Sequence, residues 1–171
     1  MSVTITNADA SDLGTLADLH RQCFAAAWST ADFARLLAMP GTFALLAREG
    51  EGGGAWTGFI LARQAADEAE ILSIGTRPAW RRSGVAEALL AHAFDRLAGD
   101  GATAVFIEVD AANAAARRLY DKSGFVEVGR RAGYYAASAG TPGDAIVMRR
   151  PLAGAGAGGG TARPAGKVEP G

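Results

Sequence analysis

Between residues 70 and 90 the chain reads EILSIGTRPAWRRSGVAEALL, and this run holds the residues best placed to receive a ligand. A strand pattern carrying Ile71, Leu72 and Ile74 meets a break at Arg77 and Pro78. Arg81, Arg82, Ser83, Gly84, Val85 and Ala86 then lead into an apolar-periodic helix. The first amides of a helix have no intrahelical acceptor, so small and basic residues at that junction make an anion site. Gly84 permits close approach of the backbone to a ligand, and Arg81 or Arg82 adds positive charge. Two familiar phosphate patterns do not fit. A dinucleotide fingerprint needs glycine where Arg82 and Ala86 stand, and a P-loop needs Lys-Ser/Thr after its last glycine, where Val85 stands. A pyrophosphate held by helix amides remains, weighed against a plain arginine-rich turn before a core helix.

The flanking elements follow from periodicity. Residues 3–6 alternate as a first strand, and Asp9 or Ser11 caps a helix with Leu13, Leu16, Ala17, Leu19 and Cys23 on its apolar stripe. Ser29 or Thr30 caps a second helix, stopped by Pro40-Gly41. Residues 42–48 and 55–65 flank a glycine-rich turn and read as a hairpin. Strand 68–76, the central helix 84–98, strand 104–109, a short helix opened by Asn113, a strand that begins over 125–129 and a last strand within 144–150 complete the order. In strand 104–109, Val105, Ile107 and Val109 share one face and Phe106, Glu108 and Asp110 the other. The order β-α-α-β-β-β-α-β-α-β-β predicts a mixed α/β domain over residues 1–152. Residues 153–171 are rich in glycine, alanine and proline and read as a disordered tail.

Composition narrows the class. The 171 residues suit one domain, and about half of them are apolar. A net charge of −1 speaks against a general nucleic-acid binder. One cysteine and two histidines, far apart, make no zinc site, and no metal is expected. The single cysteine suits a reducing cytoplasm. The first residues have no signal-peptide pattern, and no apolar run is long enough to span a membrane.

The motif R-x-x-G-x-A (Arg81, Gly84, Ala86) resembles the acetyl-coenzyme A pyrophosphate motif of the GNAT superfamily of N-acetyltransferases. The likeness extends through IEVDAANAAARRLYDKSGF, GRRAGYY and DAIVMRR, and through Cys23-Phe24 with Trp28-Ser29. It covers residues 3–152. It implies the GNAT fold, a mostly antiparallel sheet whose central strands splay apart to admit acetyl-CoA. It further implies that Ile74, Gly75 and Thr76 offer backbone contacts to the pantetheine arm, and one of their amides an oxyanion donor. Arg81, Arg82, Ser83, Gly84, Val85, Ala86 and Glu87 would surround the pyrophosphate, with Asn113 contacting acetyl-CoA from the other side.

The same resemblance implies direct acetyl transfer to an amine, with Glu108 as base and Tyr120 as the acid that protonates the departing thiolate. Its nearest branch acetylates the N-terminal alanine of a ribosomal protein. Taken alone, Glu108 is a solvated strand carboxylate and Tyr120 a core or rim residue. Trp28, Tyr134 and Tyr135 are the candidates for an acceptor groove, although Trp28 serves equally to close the core. Arg130 and Arg131 would steer an acidic peptide or coenzyme phosphates, or simply form a charged turn. His20 and His92 read as helix-face residues and Cys23 as packing. Asp110 stands where the branch often has arginine, which places a second negative charge beside Glu108. Acceptors other than a protein N-terminus, such as a lysine side chain or a small amine, share this pattern. A non-catalytic acyl-CoA-binding regulator is the reading that retention of Glu108 and Tyr120 opposes.

Overall fold

The computed structural model describes residues 2–136 and 142–153, with side chains over 2–133 and 143–153. Seven strands form one sheet in the order β1-β2-β3-β4-β5-β7-β6. They are β1 (Val3–Asn7), β2 (Thr42–Glu49), β3 (Trp56–Ala65), β4 (Glu68–Thr76), β5 (Ala104–Asp110), β6 (Val126–Ala136) and β7 (Pro142–Pro151). Every neighbouring pair is antiparallel except β4–β5. A parallel pair needs a crossover, and α3 (Val85–Gly99) supplies it.

Alternation sorts the side chains to two faces. On one, α3 and α4 (Ala114–Lys122) bury Ile60, Ile71, Val105, Ile107, Ile146 and Met148. On the other, α1 (Leu13–Cys23) and α2 (Thr30–Leu37) cover only the β2–β4 half, packing Leu16, Leu19 and Phe33 against Leu46, Phe59 and Leu61. Among the described residues no helix covers the β5–β7 half of that second face. A capping box fixes the start of α2: the Asp32 amide donates to Ser29 Oγ at 3.2 Å and the Ser29 amide to Asp32 Oδ2 at 2.8 Å.

The element order matches the expectation. The strand expected to begin over 125–129 spans Val126–Ala136, and the last, expected within 144–150, spans Pro142–Pro151. β6 is an outer strand with Val126 and Val128 exposed, so the buried-polar alternation that marks an inner strand is missing. The expected tail lies outside the described residues apart from its first position. No helix among the described residues is long and apolar enough to cross a membrane.

Candidate active site

The sheet opens where β4 leaves β5. Their pairing runs from Glu68 opposite Ala104 to Ile71 opposite Ile107 and ends there. Residues 72–76 stay with β3, and residues 108–110 stay with β7. A bulge assists the parting: Ile71 faces Ala62 and Ser73 faces Leu61, so Leu72 has no partner on β3. A bulge bends a strand and sharpens its twist. The Arg77 amide donates to Thr57 carbonyl at 2.8 Å. By antiparallel alternation Ile74 and Thr76 then turn their N–H and C=O away from β3, toward the opening. Gly75 sits between them under α1. A Cβ there would lie 2.8 Å from the Phe59 ring and 2.9 Å from Cys23 Sγ, so this packing excludes any side chain. Cys23 is a packing residue whose Sγ donates to Thr76 carbonyl at 3.4 Å. Burial raises its thiol pKa, against the lowering pull of Arg81 and Arg77.

The loop after β4 ends at the amide-rich start of α3. Pro78–Trp80 forms one 3-10 turn, and Ser83 Oγ donates to Trp80 carbonyl. Arg82 and Gly84 both take left-handed backbone, φ +64° and +87°. That conformation costs a non-glycine residue about 1 kcal/mol or more, a strain typical of ligand-binding turns. Gly84 occupies the N-cap without a side chain to offer, and the space where its Cβ would project is open. The amides of Val85, Ala86 and Glu87 thus lack intrahelical acceptors. Arg81 and Arg82 are exposed and in no ion pair among the described residues. Free amides, a glycine with open space and two uncommitted guanidinium groups fit a pyrophosphate.

Glu108 and Tyr120 lie toward opposite faces of the sheet. Tyr120 belongs to the core cluster of Ile107 and Val109, is 6% exposed, and meets Phe125 edge-on at 5.7 Å. Its hydroxyl makes no hydrogen bond among the described residues, and burial pushes the phenol well above its ordinary pKa. Glu108 alternates to the other face, where its side chain is 19% exposed and Arg131 stands 3.5 Å away. The two groups therefore lie toward opposite faces of the sheet, with Glu108 one residue past the last β4–β5 pair. Asn113 caps α4, its Oδ1 accepting from the Ala116 amide at 3.1 Å, and its NH₂ has no hydrogen bond among the described residues. Asp110 accepts from the Ala112 amide through Oδ1 at 2.9 Å, and its other oxygen keeps its charge on the face of Glu108. Arg130 pairs with Asp144 and Glu127 within strands rather than in a loose turn.

Two residues carry more than the sequence reading gave them. His20, expected on a helix face, is 3% exposed and sits among Phe24, Trp28, Phe33 and Phe59. Its Nδ1 accepts from the Trp28 amide at 3.0 Å, and Trp28 stacks on the ring at 4.7 Å. Trp28 is thereby a half-buried lid on the α1–α2 core. Burial lowers the His20 pKa, partly opposed by Asp32. Glu70 is the second. It lies opposite Phe106 on β5, and because Ala69–Val105 and Ile71–Ile107 are buried in the α3 core, Glu70 shares the other face with Glu108. Nothing in the sequence aligns β4 with β5, so this neighbourhood was not legible there. β6 passes through Tyr134 and Tyr135, the latter opposite Gly143, but their side chains lie outside the described residues.

A sheet that splits beside the N-terminus of a helix, with a carboxylate at the parting, can admit an extended ligand that carries phosphate. Residues 13–125 match the Acetyltransferase (GNAT) family. The chain is 32% identical over 149 residues to the [Ribosomal protein bS18]-alanine N-acetyltransferase of Escherichia coli, covering 87% of this chain and 97% of that one. It is 35% identical over 154 residues to the N-alpha-acetyltransferase RimI of Mycobacterium tuberculosis, covering 86% and 92%. The crystal structure of the Escherichia coli ribosomal-protein-S18-alanine N-acetyltransferase superposes with a TM-score of 0.81 at 31% identity, over 91% of this chain and 97% of that one. The chain belongs to the GNAT acetyltransferase family and is an N-acetyltransferase, and enzymes of that family take acetyl-CoA as the donor.

Proposed function

We propose that the enzyme transfers the acetyl group of acetyl-CoA to the N-terminal α-amine of a protein, with the alanine terminus of a small-subunit ribosomal protein as its acceptor. The observation that carries this reading is Glu108 beside the parted strands, on the face that α1 and α2 leave open. Its named relatives act on the alanine of ribosomal protein bS18 or are N-alpha-acetyltransferases, and almost their whole length is matched.

In this proposal the pyrophosphate is received by Arg81, Arg82, Ser83, Gly84, Val85, Ala86 and Glu87, chiefly through amides at the start of α3. Ile74, Gly75 and Thr76 line the split with backbone groups, and Asn113 offers its NH₂ from the β5 side. Glu108 accepts a proton from the amine, directly or through water. Tyr120, on the opposite face, stays protonated at neutral pH and gives its proton to the departing thiolate. Trp28, Tyr134 and Tyr135 remain the candidates for contact with the acceptor. The enzyme works in the cytoplasm, and it binds neither a metal, a nucleic acid nor a membrane.

The test offers acetyl-CoA with three acceptor sets: peptides differing in their first residue, N-blocked peptides containing lysine, and small amines. Thiol release with free alanine-ended peptides supports the proposal. Turnover of the blocked lysine peptides or small amines alone overturns it.

A further inference from the structure

Glu70 is a half-buried carboxyl without a hydrogen bond or ion pair among the described residues. Such a group is costly unless something answers its charge. The cross-strand partner Arg63 forms no ion pair with it: its Nε donates to the Pro40 carbonyl at 3.4 Å, and its charge reaches Glu70 only across the strand pair. The other charged groups on this face are Glu68 from β4, Glu108 and Asp110 from β5, Arg131 from β6, and Arg149 from β7, whose guanidinium lies 6.0 Å over Phe106. Arg131 is already drawn to Glu108. Glu70 and Glu108 are diagonal neighbours across adjacent parallel strands, one just before and one just after the last pair, Ile71 opposite Ile107.

Building on the amine acetyltransfer proposed above, we infer that Glu70 and Glu108 form a two-carboxyl seat for the protonated acceptor amine. Glu70 holds the cation while Glu108 takes its proton. A free α-amine is largely an ammonium at neutral pH, so the enzyme must capture a cation and then neutralise it. Two like charges side by side are relieved by an ammonium between them. The ammonium gives one proton to Glu108, and the neutral amine forms the C–N bond as the C–S bond breaks. The second proton leaves with the thiolate by way of Tyr120, and Glu108 returns the first to solvent. Burial and the charge of Glu108 raise the Glu70 pKa, while Arg63 and Arg131 oppose them, in keeping with a carboxyl that awaits a cation.

The experiment measures kcat and acceptor KM from acid to neutral pH for the full chain, Glu70→Gln and Glu70→Asp, with acetyl-CoA and an alanine-ended peptide. Loss of one charge-assisted contact predicts an acceptor KM about tenfold higher in Glu70→Gln, with kcat and acetyl-CoA affinity nearly unchanged. Glu70→Asp restores most of the loss. The acid limb of kcat/KM involves two protons in the wild type and one in Glu70→Gln. A Glu70→Gln enzyme with wild-type KM and a wild-type acid limb overturns the inference. So does loss of acetyl-CoA binding and melting temperature in both variants, which marks a structural role. Should another amine prove to be the acceptor, the same comparison on that amine decides the role of Glu70 separately from the identity of the substrate.

Discussion

Gly58→Ala puts the coupling between the core and the donor site to a quantitative test. Gly58 lies on β3 beneath the first turn of α3, and a Cβ there would stand 2.7 Å from the Gly75 carbonyl oxygen, 2.9 Å from Val85 Cγ1 and 3.3 Å from Leu89 Cδ1. Neither Val85 nor Leu89 has free space, since both are buried. Restoring an ordinary carbon contact of ~3.5 Å requires Val85 to retreat by about 0.6 Å. Val85 is the first residue of α3, so the displaced atoms include the amides assigned to the pyrophosphate. Overpacking of this kind costs about 1–3 kcal/mol, which lowers the melting temperature of a chain this size by roughly 3–10 °C. The same displacement should weaken acetyl-CoA binding by about threefold to tenfold, since ~1 kcal/mol is about a fivefold change. Differential scanning calorimetry and titration calorimetry with acetyl-CoA measure the two effects. Gly99→Ala is the control: it makes the same chemical change at an exposed helix position with open space, and should raise stability by up to ~1 kcal/mol. A Gly58→Ala protein that melts within about 1 °C of wild type and binds acetyl-CoA normally refutes the reasoning.

Two further predictions address the aromatic core and the acid. Burial lowers the His20 pKa in the folded chain, so below about 6.5 the unfolded chain takes up the extra proton. The stability tied to His20 is therefore intact above that value and falls as the pH drops through it, and melting scans across this window should show a shallower slope in His20→Phe. Tyr120→Phe should slow acetyl transfer by about a hundredfold in single-turnover assays. Because its hydroxyl holds no partner among the described residues, acetyl-CoA affinity and melting temperature should stay close to wild type; a loss of binding instead assigns Tyr120 to structure.

Much of the fold was legible because punctuation and period agreed. Ser29 with Asp32, the glycines after residue 49 and the break at Pro78 mark ends, and the stripes of α1 and α3 mark faces. The far end of β6, past Arg130 and Arg131, could not be placed because an outer strand, exposed at Val126 and Val128, loses the alternation that announces it. The junction at Gly84 could be read locally, since a helix start is a local event. Glu70 and His20 could not. One depends on the register of two strands joined by a whole helix, and the other on a loop that folds Trp28 back over its own helix. Chemistry assembled from distant segments leaves little local trace.

The parting of β4 and β5 has a consequence for the protein's lifetime. A sheet normally has two edges, but this one has two more inside it, along residues 72–76 and 108–110. Unpaired backbone at an edge is where foreign strands attach and where opening begins. With acetyl-CoA seated in the gap as proposed, the donor both feeds the reaction and seals the seam, adding RT ln(1 + [L]/Kd) to the folding free energy. The standing amount of intact enzyme is then tied to donor supply: when acetyl-CoA is scarce, the catalyst becomes easier to unfold and degrade as well as slower to turn over.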